Sequence, residues 1–411
     1  MRRLSTPPTG RSAVQAWVRQ ELTGLFDPHA GDPVLTEAAE PMPGGQPAAD
    51  RALANFDVTG YARRRNEVWP DHRQGASRLS PYIRHGLLSL PRVWADVAGG
   101  PADDVAKFRD ELCWQEYARH VYARIGSDLA RSGRYRVTER TGPGDAHPWM
   151  GDARCVDDAW RRLRSEGWIT NQERMWLASH WSVRGQRAWS EGETAFFRLL
   201  LDGSRAANRL GWQWTVGTWT GKPYGFSREQ VRRRAPGLCD TCSLQSACPI
   251  EEWPVVAEPR AVESANPALR RDPDPSRSAG PARAVTTGSP VMVWITAESL
   301  GDADPALTAH PDLPVTFVFD EGLLPSLRLA EHRLVFLAEC LADLATHREL
   351  AVWRGRPTQV LAGMPLAATF TPVPGWRSRA AHLDVVSLHP WPWLRRPAGE
   401  SVTSFTAWSR A

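Results

Sequence analysis

Gly75-Ala-Ser-Arg-Leu-Ser-Pro-Tyr-Ile-Arg-His-Gly86 and Asp202-Gly-Ser-Arg-Ala-Ala-Asn208-Arg-Leu-Gly-Trp212-Gln-Trp214 decide how the chain is read. In the first, Ser77-Arg78-Leu79-Ser80 stands just before Pro81, where a helix is expected to begin. Hydroxyls and free N–H groups at a helix start can receive phosphate. Between the two stretches lie Glu111-Leu-Cys-Trp114-Gln-Glu-Tyr, Gly167-Trp-Ile-Thr-Asn171-Gln-Glu-Arg174-Met175 and Ala188-Trp189-Ser-Glu-Gly. Around them, apolar residues recur at helical spacing over 12–25, from about Ala48, and over 108–122, 156–163, 171–181 and 194–201. This predicts an all-helical region, residues 1–254.

From Val255 to Pro290 the chain is dominated by Pro, Ala, Ser, Arg and acidic residues without periodicity, which predicts a flexible linker, 255–290. Beyond it the period changes. Val291 to Ile295, Pro314 to Phe319, Leu350 to Trp353 and Leu383 to Val386 read as strands, and Leu329 to Leu344 as a helix, so 291–411 is expected to be a parallel α/β domain.

The chain has 411 residues, room for two or three domains. Its net charge is only +4, so any nucleic-acid binding must rest on local basic surface such as Arg63-Arg-Arg65 or Arg232-Arg-Arg234. Such runs are more often merely solvated faces. Twenty tryptophans suit aromatic packing or electron movement between indoles. No apolar stretch is long enough to span a bilayer, and Met-Arg-Arg-Leu-Ser-Thr-Pro-Pro lacks the apolar core of a secretion signal. A cytoplasmic monomer without a membrane partner is expected.

The five blocks, in this order, resemble the flavin pocket of the photolyase and cryptochrome family. The resemblance implies FAD in an all-helical photolyase-type domain, followed here by a Rossmann-like parallel α/β antenna-like domain. In that family the α/β domain comes first, opening with a strand of the form VWFRRDLRLxDNPAL. Val293-Trp-Ile-Thr-Ala-Glu-Ser-Leu-Gly-Asp-Ala-Asp304-Pro305-Ala306-Leu307 resembles that opening but lies behind the flavin region. Gly399-Glu-Ser-Val-Thr-Ser-Phe405-Thr-Ala-Trp408 resembles the segment that leaves the antenna domain, and Gly44-Gly-Gln-Pro-Ala48-Ala49 the one that enters the flavin domain. A circular permutation is therefore expected, the rival being an unrelated α/β domain fused at the C-terminus. Thr296-Ala-Glu298 replaces the usual Arg-Arg-Asp of the first strand, so the antenna chromophore stays open.

By the same resemblance Tyr61, Ser77, Arg78, Leu79 and Ser80 hold the phosphates and ribityl chain. Arg174 and Asp202 form a salt bridge beside the isoalloxazine, Asn208 faces its N5, and Trp214 belongs to the same pocket. Gln115 stands where arginine is usual, and Ser204 replaces the second acid of Asp-Gly-Asp. Glu111 and Trp114, at i and i+3 on one helix, match residues that contact a cyclobutane dimer, and Asn171 and Met175 match the other pair. Trp212 and Trp189 align with the inner members of an electron-transfer chain, with Trp149, Trp160 and Trp181 as candidates for the outer one. The implied activity is light-dependent repair of cyclobutane pyrimidine dimers in UV-damaged DNA, with the lesion flipped into the site. A cryptochrome-like receptor without repair and a (6-4) photolyase are the alternatives, although (6-4) repair usually relies on histidine near the Asn171 position. Asn171 as a helix N-cap and Trp114 as a core residue also stay open.

Cys239-Asp-Thr-Cys242-Ser-Leu-Gln-Ser-Ala-Cys248-Pro249 ends the helical region, and clustered thiols in a cytosolic chain point to metal rather than disulfides. Cys155 is the candidate fourth ligand, since it falls where the iron-sulfur branch of bacterial photolyases places its distant cysteine. A [4Fe-4S] cluster is expected, with zinc as the chemical rival. A flavin-free, zinc-stabilised nucleic-acid-binding module is a further alternative. Cys113 and Cys340 read as packing residues.

Overall fold

Thr170 and Glu173 close a capping box, in which the threonine hydroxyl accepts from the Glu173 N–H and the glutamate accepts from the Thr170 N–H at 2.7 Å. Thr170 is therefore the N-cap, and Asn171 is left as the exposed first residue of the helix. The computed structural model describes residues 1–31, 42–137, 149, 151, 153–254, 260–261 and 266–410. The helices that matter to the site are α1 (Arg11–Glu21), α2 (Ala102–Ile125), α3 (Arg154–Glu166), α4 (Asn171–Ala178), α5 (Trp189–Leu199), α6 (Ala207–Val216) and α7 (Arg228–Arg234). Beyond them lie α8 (Pro305–Ala309), α9 (Glu331–Leu344) and α10 (Phe405–Arg410). A π-helical turn, Ser179–Arg184, follows α4.

The strands of the main sheet are β1 (Arg2–Arg3), β2 (Val285–Thr286), β3 (Met292–Ile295), β4 (Val315–Asp320), β5 (Leu350–Gly355), β6 (Leu366–Thr369) and β7 (Val385–His389), in spatial order β1-β5-β4-β3-β6-β7-β2. A separate two-stranded ladder, Tyr135–Arg136 against Arg260–Ala261, interrupts the region expected to be all-helical. The inner five are parallel, and β1 and β2 close the edges antiparallel. β4 is buried from Val315 to Phe319, as a strand covered on both faces must be.

Two sequence expectations are corrected. The first residues do not belong to a helical domain ending at 254: Arg2 and Arg3 pair with Arg354 and Trp353, and α1 packs on α9. Leu4, Val14, Trp17 and Val18 share one core with Val293, Phe317 and Phe319 of the sheet, so burial of apolar surface places the start of the chain with the α/β unit. Nor is 255–290 a flexible linker throughout. Most of 255–265 lies outside the described residues, but from Asn266 the chain is fastened down. Leu269 is 1% exposed, and Asp272 pairs with Arg124 of α2 at 3.2 Å with both side chains buried. An unpaired charge there would cost several kcal/mol.

The helical and α/β parts meet backbone to backbone. The Leu300 N–H donates to the His85 carbonyl at 3.1 Å, and His85 Nδ1 stands 2.7 Å from the Ala297 carbonyl. Gly86 has φ +74°, and a Cβ there would lie 2.3 Å from the Glu298 carbonyl oxygen. Gly86→Ala is expected to cost about 1–3 kcal/mol in overpacking and roughly 1–2 kcal/mol in left-handed strain. A lowered urea midpoint would register it; a wild-type midpoint would mean that the interface yields freely.

Candidate functional site

Glu193 of α5 is 1% exposed and organises the loop into α6: it accepts from the Arg205 guanidinium, from Arg209 at 3.4 Å and from Asn208 Nδ2 at 3.4 Å. Beside it Arg174 Nη2 donates to both Asp202 oxygens, at 2.9 and 3.1 Å, and its Nε to the Ile169 carbonyl at 3.2 Å. From the α/β side, Glu298 pairs with Arg84 at 2.8 Å, and both Arg84 and the buried Arg333 donate to the Gly203 carbonyl. Arg84, Arg174, Arg205, Arg209 and Arg333 thus outnumber Glu193, Asp202 and Glu298. Burial first, and then the Arg84 charge, push the Arg333 guanidinium down to about 9. A region with surplus buried positive charge favours an anionic ligand.

Of the residues expected at the phosphates, Leu79 is fully buried, and Ser77 Oγ accepts from the Leu79 N–H at 3.4 Å. Ser80 begins the helix Ser80–Arg84, but its hydroxyl accepts from the Trp168 indole at 3.3 Å. Arg78 has φ +57°, pairs with Glu166 at 3.2 Å and lies 4.3 Å over the Trp168 ring. Tyr61 is buried edge-on to Phe108 at 4.9 Å, and burial followed by the Glu111 charge pushes its phenol up. Ser204 Oγ accepts from the Ala207 N–H at 3.2 Å, and Gln115 is half-buried.

On α2, Glu111 takes Lys107 at 3.1 Å and Arg65 at 3.3 Å. One turn on, Trp114 is half-buried and lies flat on Phe405 of α10, with ring centroids 3.9 Å apart and planes 9° apart. Asn171 Nδ2 stands 3.7 Å from Met175 Sδ on α4, and Trp214 is 37% exposed beside Tyr224. The main-chain N–H of Val68 donates to the Arg234 carbonyl at 2.8 Å, which brings Arg63-Arg-Arg65 near Arg232-Arg-Arg234. Buried indoles fill the opposite side. Trp149 stands 6.2 Å from Trp212 and 4.7 Å from both Trp160 and Trp181, and Trp189 is buried in the same core. The Trp212 N–H is buried without a protein acceptor among the described residues.

Cys155, at the start of α3, and Cys239, Cys242 and Cys248, after α7, line one small pocket with Arg154, Arg228 and Ile250. Burial first, and then the neighbouring thiols, push the Cys155 thiol up. Among the described residues no three Cys, His, Asp or Glu side chains are grouped around one metal-ion position. A tetrahedral Zn(Cys)4 site would hold its sulfurs within about 3.8 Å of one another.

Residues 108–228 match the family described as the FAD binding domain of DNA photolyase. Over these residues the chain is similar to the photolyase family's flavin-binding domain. The deoxyribodipyrimidine photo-lyase of Vibrio cholerae is 32% identical over 201 residues, 43% of this chain and 42% of that protein. That of Thermus thermophilus is 31% identical over 212 residues, 46% and 47% respectively. The chain spans under half the length of these curated relatives. A bacterial class III photolyase structure from Agrobacterium tumefaciens is 26% identical, covering 41% of this chain and 37% of its own, with a TM-score of 0.36.

The family resemblance led to Arg174, Asp202, Asn208, Glu111 and Trp114, but Glu193, Arg205, Arg209, Arg84 and Phe405 were missed. Glu193 had a signal, since it stands one turn after Trp189 on a helix flanked by arginines. Phe405 had none, because its partner is far away in the chain.

Proposed function

We propose that this protein is a light-dependent DNA repair enzyme, a cyclobutane pyrimidine dimer photolyase that binds FAD. The observation that carries the reading is Trp114: an indole held flat by Phe405, one helical turn from Glu111, inside the matched photolyase domain. When bound, reduced FAD supplies the photoexcited electron that splits the dimer and takes it back. The rest is placement by this chain's own residues. Trp114 offers a ring face to an extruded dimer, Glu111 accepts from its polar edge, and Asn171 and Met175 close the far side. Arg174, Asp202, Glu193 and Asn208 fix the isoalloxazine region, and the arginine surplus stabilises negative charge on a bound flavin. The adjacent runs 63–65 and 232–234 supply sequence-independent contacts to DNA phosphates. Asn171 in place of histidine favours cyclobutane over (6-4) lesions.

The α/β unit is read as the family's antenna-like domain in permuted order, the sheet β3–β7 following the flavin domain in the chain. The four cysteines are read as ligands of a [4Fe-4S] cluster. Three closely spaced cysteines with Pro249 after the last, and Cys155 beside them in one pocket, suit such a cluster. Iron and acid-labile sulfide in anaerobically purified protein, lost in C155S, check this; stoichiometric zinc instead would replace it.

Illumination of the reduced protein with a thymine-dimer oligonucleotide is expected to remove the dimer, and no loss in the dark is expected. Bound flavin with no light-dependent loss would overturn the repair reading. A further expected result concerns Trp149, which connects Trp212 with Trp160 and Trp181. Trp149→Phe is expected to slow light-driven reduction of the oxidised flavin by tenfold or more, followed by absorbance, while repair by protein already reduced chemically stays unchanged.

A further inference from the structure

His310, Ser387 and His389 meet in the α/β unit and belong to neither the flavin region nor the cysteine pocket. His310 stands at the C-terminal end of α8, and His389 ends β7, at the carboxyl side of the parallel sheet. His310 Nε2 is 3.1 Å from His389 Nε2 and 3.3 Å from Ser387 Oγ, and Ser387 Oγ is 3.1 Å from His389 Nε2. Thr286 Oγ1 of β2 supports the serine hydroxyl at 3.2 Å. The imidazole planes are 84° apart with centroids at 5.1 Å, so the rings do not stack; they point nitrogen to nitrogen.

Hydrogen bonding leaves this triangle incomplete. A neutral imidazole carries one N–H shared between two possible nitrogens, and a hydroxyl carries one proton. If both Nε2 atoms are bare, one hydroxyl proton must serve three edges and two lone pairs face each other. If one Nε2 is protonated, two protons still serve three edges. A metal ion needs no protons on these atoms. Ligands bound at about 2.0–2.1 Å in a tetrahedron stand about 3.3–3.4 Å apart, and the three observed edges lie close to that spacing. Ser387 and His389 are buried and His310 is half-exposed, so the open direction faces solvent on the His310 side. Imidazole is a ligand suited to zinc, copper and nickel rather than to magnesium or calcium.

We propose that His310, His389 and Ser387 form a binding site for a divalent transition-metal ion such as zinc, with two imidazole Nε2 atoms and the serine hydroxyl as three corners and water as the fourth. The site ties the end of α8, which follows the first parallel strand, to the last parallel strand and its edge neighbour. Bound metal is therefore a staple across the sheet, and it stabilises the folded chain by mass action.

The test uses the full chain with its cysteine pocket intact. Protein equilibrated with Zn2+ is compared with H310Q and H389Q for zinc content and for the change in Tm on adding Zn2+. One equivalent fewer in each variant is expected, together with loss of a zinc-induced rise of a few degrees. S387A is expected to bind about tenfold more weakly. Equal zinc content and equal Tm shifts in wild type and both glutamine variants would overturn the proposal. His310 is half-exposed at a helix end, so H310Q decides alone if H389Q does not fold. Co2+ gives an independent readout on the unmodified protein: visible bands without sulfur charge transfer, absent in H310Q, are expected. Cobalt bands of wholly thiolate type would count against the site.

Discussion

Glu193→Ala will destabilise the protein by about 3–5 kcal/mol and empty it of flavin. The carboxylate is 1% exposed and is the partner of Arg205, Arg209 and Asn208, so its removal leaves positive charge and an amide N–H uncompensated in a region that already carries surplus guanidinium. Removing one member of a buried ion pair costs more than the pair contributes, because the charge left behind keeps its desolvation penalty. Urea unfolding and flavin absorbance per chain measure the two effects. Glu193→Gln keeps the shape and an acceptor and is expected to fall between the two. An alanine variant with wild-type midpoint and flavin content would mean that solvent reaches the arginines freely.

The second large effect belongs to Trp114. Stacking of a base on an aromatic ring contributes about 1–3 kcal/mol, so Trp114→Ala is expected to weaken binding to dimer-containing DNA by about five- to a hundredfold with flavin content unchanged. Loss of flavin as well would show that the indole supports the cofactor instead. Phe405→Ala tests how the indole is held. An offset-stacked pair contributes about 0.5–1.5 kcal/mol beyond its buried area, so a loss of two- to tenfold in lesion affinity is expected, again with flavin retained. Unchanged affinity would mean that Trp114 keeps its pose without the ring behind it.

What the sequence disclosed depended on how local the cause was. The helices were legible because their apolar residues repeat every turn, and β3, β4 and β5 because Val, Ile, Phe and Trp run together there. β6, Leu366-Ala-Ala-Thr369, carries little β-branched signal and was missed; it is a strand because it pairs with Met292 and Val293 of β3 on one side and with residues 385–389 of β7 on the other. β1 and β2 are two residues each, and such edges take their conformation from their partners. The order of the 266–290 stretch rests on Leu269 and on the Asp272–Arg124 pair, which composition cannot disclose. Around the site, Arg174 and Asp202 sit in recognisable blocks. Glu193 and the Arg84–Glu298 pair owe their meaning to neighbours from the other half of the chain.

The placement of β1 has a consequence for how the protein is made. Arg2 and Arg3 leave the ribosome about 350 residues before Trp353 and Arg354, their pairing partners. At roughly 5–20 residues per second, Leu4, Val14 and Trp17 wait tens of seconds for the strands they will cover. Throughout that interval the apolar side chains that share a core with Val293, Phe317 and Phe319 in the finished fold lack those partners. Transiently exposed apolar surface of this kind is where an incomplete chain is most prone to aggregate.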